Sequence, residues 1–203
     1  MITRAKLSSV VQGLPKYRSM LAGNTAYFPI TADFESIATI NGTGSSGTLT
    51  FTSIPQTYKH LHIRGVVRNT ASGTTTSPIG IRFNATGGYS KHRMYASGAS
   101  TFASGNGGGG NIYVATGPNN GNDANLVGVF YADIFDYTST SKYKVARSFS
   151  GVEANGSGSD MNVSVWSGAI NTAFTAVTSL ELFDDNGYNL SSLTQFSLYG
   201  IKG

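Results

Sequence analysis

The stretch from Gly47 to Asn69 constrains the fold of this chain most strongly. Residues 48–53 alternate polar and apolar side chains, which is the period of a half-buried strand. Pro55 then interrupts the ladder, because proline has no backbone N–H to donate. After this corner, residues 58–69 alternate again. The pattern predicts two long strands joined at a proline corner in one sheet, and that sheet needs a second layer to bury its apolar face.

The second of these strands has two chemically different faces. Leu61 and Ile63 point to one side, whereas His60, His62 and Arg64 point to the other, because successive side chains of a strand alternate. We expect the apolar pair to face the core. We expect the histidines to meet solvent or a partner molecule and not a metal ion, since two ligands alone do not make a metal site.

Composition favours β structure. Charged residues make up 12% of the chain, about half the usual share, while hydrophobic residues make up 39%, enough for a core. The chain has 26 glycines and many Ser, Thr and Asn residues, which favour turns and strands over helices. It has no cysteine, which excludes disulfides and cysteine-based zinc sites and fits assembly in a reducing cytoplasm.

Strand patterns recur from Phe34 to the C-terminus with turns between them and no convincing helix. They predict an all-β fold, an antiparallel two-layer β-sandwich of jelly-roll type with an extended N-terminal arm. The predicted strands cover residues 36–41, 48–53, 58–69, 79–84, 92–96, 111–116, 126–137, 143–152, 161–169, 177–183 and 196–202, and the glycine-rich residues 99–110 are predicted to form a long flexible loop. The predicted inward side chains are Ile37, Leu49, Phe51, Leu61, Ile63, Ile81, Phe83, Val129, Tyr131, Ile134, Val145, Val163, Val165, Leu180, Leu182 and Leu198.

Residues 1–33 form the predicted N-terminal anchoring arm, and residues 34–203 form the sandwich domain. Prolines and glycines break the arm, yet it is too rich in apolar and aromatic residues for a free tail. We therefore expect it to order against another protein, and packing on its own domain is the alternative. The predicted docking contact consists of Leu14, Pro15, Tyr17, Arg18, Met20 and Leu21, because Tyr, Arg and Met are enriched at interface cores.

The sequence does not support catalysis, a cofactor or a metal site. The three histidines, His60, His62 and His92, lack a nucleophile elbow or an acid placed by spacing. Residues 184–187, Asp-Asp-Asn-Gly, lack the distal glutamate of a calcium loop, so we expect them to cap their own backbone. The 14 Lys and Arg residues are scattered, which argues against nucleic-acid binding, and no apolar run approaches a membrane span.

A set of segments that runs in order from about residue 20 to the end carries a family resemblance. These segments are Gly23–Tyr27, Phe34–Thr39, Ser53–Arg64, Ile81–Asn84, Asp133–Tyr137 with Lys142–Lys144, and Phe196–Gly203. Together they resemble a family of small virion structural proteins of tailed phages, especially those of marine and cyanobacterial hosts. The terminal Leu-Tyr-Gly-Ile-Lys-Gly combined with Ile-Pro-Gln-Thr-Tyr is the most specific part of the resemblance.

The resemblance implies a non-enzymatic component of the virion, assembled in the host cytoplasm, with no catalytic residues and no cofactor. We expect the chain to dock on other virion proteins through residues 1–33 and to project its sandwich outward. It would then form part of a tail fibre, a tail appendage or a particle decoration. Phage appendages are usually symmetric, so we expect a homo-oligomer, with a trimer favoured.

A carbohydrate-binding module that recognises host-surface glycan is the alternative function. Aromatic faces stack on sugars, and the loops 70–78 and 97–125 are long enough to hold a shallow site. The predicted contact residues are Tyr89, Tyr95, Phe102 and Trp166. Trp166 is the only tryptophan, and its other interpretation is a core-edge residue whose indole N–H must find an acceptor.

The arm generates a testable prediction about docking. Replacing both Tyr17 and Leu21 with alanine should lower incorporation into particles, because the substitutions remove an aromatic and an aliphatic anchor from the predicted contact. The melting temperature of the sandwich should stay unchanged, since the arm lies outside its strand pattern. Quantitative mass spectrometry of purified particles measures the incorporation, and incorporation equal to that of the unchanged chain would move the contact elsewhere.

Overall fold

The computed structural model describes residues 33–73, 75–153, 162–170 and 175–203. The predicted arm falls outside these ranges except for Asp33. Its docking residues, Leu14, Pro15, Tyr17, Arg18, Met20 and Leu21, therefore also lie outside the described residues, and the arm and its contact stay predictions.

Twelve antiparallel strands form two sheets in the described part of the chain. They are β1 (Phe34–Asn41), β2 (Thr48–Phe51), β3 (His60–Val67), β4 (Thr76–Phe83), β5 (Tyr89–Ser97), β6 (Ser100–Gly109), β7 (Ile112–Pro118), β8 (Gly128–Phe135), β9 (Lys144–Val152), β10 (Asn162–Ile170), β11 (Leu180–Asp184) and β12 (Gln195–Ile201). One sheet has eight strands in the order β1-β12-β3-β8-β9-β10-β5-β6, and the other has four in the order β2-β11-β4-β7. The prediction of an all-β antiparallel sandwich is confirmed. No helix in the described ranges is long and apolar enough to cross a membrane.

The two sheets bury a common core. Leu61 and Ile63 of β3 are fully buried from one layer, and Leu180 and Leu182 of β11 are fully buried from the other. Burying each such side chain stabilises the fold by roughly 1.5–3 kcal/mol. Consecutive strands from β1 to β4 alternate between the sheets, as do β7 with β8 and β11 with β12. This alternation is compatible with jelly-roll connectivity, which stays a prediction.

The corner at Pro55 carries the chain from one layer to the other. We predicted that the strands on either side of it share a sheet, but β2 belongs to the four-stranded sheet and β3 to the eight-stranded sheet. Ile54 holds the crossing in place, because its side chain is buried and its N–H donates to the carbonyl of Thr178 at 3.0 Å. The side-chain amide of Gln56 donates to the carbonyls of Ile54 and Val177. These bonds replace the ladder that proline interrupts.

The prediction of a flexible loop over residues 99–110 is wrong, because Ser100–Gly109 forms strand β6. This strand pairs with β5 through a two-residue turn in which Gly98 adopts a φ of 55°. Backbone pairing needs no side chains, so a glycine-rich strand leaves no alternating pattern in the sequence. Strand β6 forms one edge of the eight-stranded sheet, and nearly all of it is exposed.

Several residues predicted to face the core lie on the outer side of the eight-stranded sheet instead. They are Val129 and Tyr131 of β8, Val145 of β9, and Val163 and Val165 of β10. The prediction assumed that the apolar side of a strand marks the interior. That assumption fails here because both sides of β8 are apolar, and because the inner side of β10 includes Asn162 and Ser164.

The last strand, β12, lies between β1 and β3. Phe196 and Leu198 are fully buried, as predicted. Alternation places Gly200 next after Phe196 and Leu198 on the core side, and a glycine there predicts a neighbour too close for a Cβ atom. This is confirmed, since a Cβ at Gly200 would lie 2.3 Å from the ring of Tyr58. The C-terminal strand is therefore an integral part of the core.

Removing residues 196–203 should give insoluble or unfolded protein, because β1 and β3 would both lose their pairing partner. The single change Leu198→Ala should lower the free energy of unfolding by about 2–5 kcal/mol, since it leaves a cavity in the core. Chemical denaturation measures this cost. Ser197→Ala, on the outer side of the same strand, is the matched control and should cost no more than about 1 kcal/mol, because it removes only an exposed hydrogen bond to Thr39. A soluble truncation that keeps its cooperative melting transition would contradict the placement of β12.

Candidate functional site

The outer side of the eight-stranded sheet carries a row of aromatic rings. Phe34, Tyr199, His62, Tyr131 and Phe149 come from five neighbouring strands, β1, β12, β3, β8 and β9. Ring centroids lie 4.8 Å apart between Phe34 and Tyr199, and the rings are stacked. Tyr131 stacks on His62 at 6.0 Å and on Phe149 at 5.9 Å. We call this surface, together with the aliphatic Val129, Val163, Val165 and Met94 beside the rings, the aromatic face.

The strand register extends the aromatic face across the sheet. Tyr131 pairs with Phe149, Phe149 with Val165, and Val165 with Met94. Val165 is 51% exposed and Met94 is 69% exposed. A shallow groove of about 730 Å³ follows the β12–β3–β8–β9 part of this surface. The exposed apolar side chains thus form one continuous surface and not scattered contacts.

The composition of the aromatic face is that of a protein contact surface. Among the described side chains that point outward from this sheet, none is Lys or Glu, and the charged ones are Arg64, Asp133 and Arg147. Interface cores are enriched in aromatic residues, Met and Arg and depleted in Lys and Glu. A solvated antiparallel sheet, by contrast, normally places polar residues outward. This side of the sandwich therefore fits burial against another surface better than exposure to water.

The two histidines of β3 take part in cross-strand contacts that sequence reasoning missed. Asp133 lies opposite His62 in the register, and its Oδ1 lies 2.6 Å from Nδ1 of His62. The backbone N–H of Asp136 donates to Nδ1 of His60 at 3.0 Å. The side-chain ammonium of Lys142 lowers the pKa of Asp136 by hydrogen bonding to its carboxylate. No cluster of three or more His, Asp or Glu side chains suited to a metal ion occurs in the residues described.

A second feature, the overhang cleft, lies where the eight-stranded sheet extends past β7, the edge strand of the four-stranded sheet. Because one sheet has twice as many strands as the other, the inner side of β10, β5 and β6 is only partly covered. The cleft has a volume of about 310 Å³. It is lined by Pro78, Lys91, His92, Arg93, Ser104, Gly105, Asn106, Tyr113 and Trp166.

A hydrogen-bond network closes one side of the overhang cleft. The ammonium of Lys91 donates to Oδ1 of Asn111 at 2.8 Å and lies 3.3 Å from the ring centroid of Tyr113. Asp185 accepts two bonds of 2.5 Å, one from the amide of Asn111 and one from the hydroxyl of Tyr113. Burial, together with the bond to Asp185, raises the pKa of Tyr113 to about 12. The phenol therefore stays neutral and keeps donating to the carboxylate.

The four predicted glycan-contact residues do not share one surface. Tyr89 is fully buried and its hydroxyl accepts a backbone N–H of β4 at 2.7 Å, so its assignment as a glycan contact is wrong. Trp166 is 4% exposed and lines the overhang cleft. Tyr95 stacks on Phe102 at 4.8 Å, and Phe102 is 47% exposed. Sequence reasoning missed Arg93, whose guanidinium lies 3.6 Å from the ring centroid of Tyr95 and 4.6 Å from that of Trp166.

The acidic turn after β11 binds its own backbone. Oδ1 of Asp184 accepts the N–H of Asn186 at 2.9 Å, which confirms the predicted capping role. Asp184 is 3% exposed. Burial raises its pKa to about 6, because the charged form loses hydration that the neighbouring N–H groups only partly replace.

The raised pKa of Asp184 predicts that stability falls as the pH rises. The folded protein holds this proton up to about pH 6, whereas the unfolded chain releases it near the ordinary value of 3.8. Its stabilising contribution is therefore complete below about pH 4 and is lost between about pH 4 and pH 6. Relative to Asp184→Asn, which does not titrate, the free energy of unfolding should fall by up to roughly 3 kcal/mol over that range. Urea denaturation of both proteins across this range measures the difference, and a constant difference would contradict the assignment.

Comparison with known proteins does not place the chain in a family: no family model, curated protein or solved structure matches it. The resemblance to phage virion proteins therefore stays an expectation. The aromatic face and the overhang cleft are the two features from which a function can be inferred.

Proposed function

We propose that this chain is a non-enzymatic structural protein of a phage virion, docked through residues 1–33 and projecting its sandwich outward. It would serve as part of a tail fibre, a tail appendage or a particle decoration. The observation that carries the proposal is the aromatic face, because a sheet that is apolar on both sides needs a covering layer on both sides. The family resemblance supplies the setting, and the aromatic face supplies the contact surface.

The occupant that we propose for the aromatic face is another copy of the same chain. Eight large apolar side chains on this side are 38–69% exposed: Phe34, Met94, Val129, Tyr131, Phe135, Phe149, Val163 and Val165. The four aromatic ones, with side-chain areas of roughly 150–250 Å² each, alone offer on the order of 300–400 Å² of exposed apolar surface, and the four aliphatic ones add to it. A standard interface takes about 800 Å² from each partner, polar rim included. The aromatic face is therefore the right size for the core of a homo-oligomer contact.

The charges beside the rings permit pairing between identical copies. Asp133 lies next to Arg147 in the β8–β9 register, and Arg64 lies opposite Tyr131 in the β3–β8 register. Because both signs occur on one surface, a cyclic arrangement can place an arginine of one copy near the carboxylate of the next. Closed cyclic symmetry, such as the favoured trimer, would bury the face without open-ended growth.

Light scattering coupled to size-exclusion chromatography tests this proposal. Replacing Tyr131 and Phe149 with serine should convert an oligomer into a monomer, since the two changes remove the centre of the aromatic row. Tyr188→Ser with Leu193→Ser is the matched control. These residues are 43% and 44% exposed but lie outside the aromatic face, so the oligomeric mass should not change. A full-length chain that is monomeric at tens of micromolar would contradict self-association through this surface.

Carbohydrate binding is the second candidate function. The observation that favours it is the stacked pair of Tyr95 and Phe102 beside the overhang cleft, with Phe102 half exposed. Exposed aromatic rings next to a polar cleft are the usual means of holding a sugar ring. Binding of the full chain to a glycan array separates this function from a purely structural one.

A further inference from the structure

Two cations of β5 are held inside the overhang cleft. Lys91 is 9% exposed, and Arg93 lies partly buried over the rings of Tyr95 and Trp166. Burial lowers the pKa of both side chains. Both positive charges are therefore largely withdrawn from bulk water while remaining at the wall of an open cleft.

Neither cation has a carboxylate partner within the described ranges. Every ion pair found there involves other side chains, and none places an acidic oxygen within 4.0 Å of Lys91 or Arg93. The charge of Asp185 raises the pKa of Lys91 from a distance, which partly opposes the effect of burial. Its carboxylate already accepts hydrogen bonds from Asn111 and Tyr113. A cation in a poorly hydrated site costs free energy until an anion joins it. The cleft thus favours a negative charge supplied from outside.

Two N–H donors at the same place also lack acceptors. Nε1 of Trp166 and Nε of Arg93 are buried and have no hydrogen-bond partner among the residues described. Leaving such a donor unpaired costs about 1–3 kcal/mol. Buried donors without partners mark positions where a water molecule or a ligand completes the bonding. Donors without acceptors beside cations without a carboxylate partner match a ligand that is anionic and rich in acceptor oxygens.

We propose that the overhang cleft binds an acidic sugar, a monosaccharide unit that carries a carboxylate. Lys91 and Arg93 hold the carboxylate beside Trp166, while Ser104 and Asn106 on β6 contact the sugar hydroxyls. A cleft of about 310 Å³ lies at the lower end of ordinary ligand sites and suits one sugar unit. An acidic side chain of a protein would pair with the cations but make no use of Ser104 and Asn106, which line the same cleft.

This assignment rests on the second candidate function, glycan binding, and is independent of the proposed assembly role. It defines the chemical class of glycan that the chain would select. Specificity comes from the anion, because a site whose charges and donors are already buried discriminates strongly against a ligand that leaves them unpaired. A neutral sugar of the same shape should therefore bind at least tenfold more weakly.

Intrinsic fluorescence of the full-length chain tests the proposal, since the single tryptophan, Trp166, lines the cleft. Titration with glucuronate should change the emission and saturate, whereas glucose should bind at least tenfold more weakly. Arg93→Met should weaken glucuronate binding at least tenfold. Arg147→Met removes an arginine from the outer side of the same sheet, so it should leave the affinity unchanged.

A second variant keeps the test valid if Arg93→Met fails to fold. This variant combines Ser104→Ala with Asn106→Ala. Both residues lie on the exposed strand β6, so the variant should still fold. This double change should weaken glucuronate binding several-fold and leave the binding of acetate unchanged. Near-ultraviolet circular dichroism confirms that each variant is folded.

Three other results of the titrations would each overturn a different part of the proposal. Equal binding of glucose and glucuronate would overturn the anion preference and leave glycan binding standing. Acetate, sulfate or an acidic peptide binding as tightly as glucuronate would overturn the assignment to a sugar. No response to any of these ligands would overturn the site itself. In that last case, a glycan array decides whether the second candidate function survives. Binding of other glycans would support glycan binding at another site, whereas no binding on the array would overturn glycan binding as well.

Discussion

The width mismatch between the two sheets is the constraint on which the rest of the structure depends. Eight strands stack on four, so the smaller sheet covers only part of one side of the larger. The covered part holds the dry core around Leu61 and Leu180. The partly covered inner part becomes the overhang cleft, whose lining includes the charged side chains of Lys91 and Arg93. In the part of the chain that the structure describes, no further layer lies over the apolar outer side, so burying that side requires an additional surface.

Alternation along single strands predicted the fold class and much of the core. It was sufficient where the two sides of a strand differ, as in β3, where Leu61 and Ile63 face inward and His62 faces outward. It also placed Gly200 correctly against a close neighbour. It failed at Val163 and Val165, because these valines face outward while the inner residues beside them, Asn162 and Ser164, are polar. That failure is informative, since all but one of the side chains wrongly assigned to the interior form part of the aromatic face, the exception being Val145.

The candidate site could be predicted only in part, because its contacts join strands that are far apart in sequence. His62 and Asp133 are 71 residues apart, and only the β3–β8 register brings them together. Arg93 gave no signal at all, since a single arginine in a polar stretch resembles a solvated surface residue. Trp166 stands out in the sequence as the only tryptophan, and its indole N–H needs a hydrogen-bond acceptor. Its closeness to Arg93 follows from the pairing of β10 with β5, which no local pattern encodes.

The open edge of the larger sheet has a consequence for how copies of this chain can add to one another. Among the described strands β6 is the last of the larger sheet, and none of them pairs with its outer edge, a geometry that invites a further strand. Its glycines, however, offer no side chains for an incoming strand to pack on, and they lose much conformational entropy on ordering. Gly108, with a φ of 79°, and the register shift near Tyr89 also distort the edge. Although this strand carries no charged residue and no proline, addition of a further strand at this edge is therefore disfavoured. Association through a broad face of the sandwich, which can close on itself, is favoured over growth from this edge.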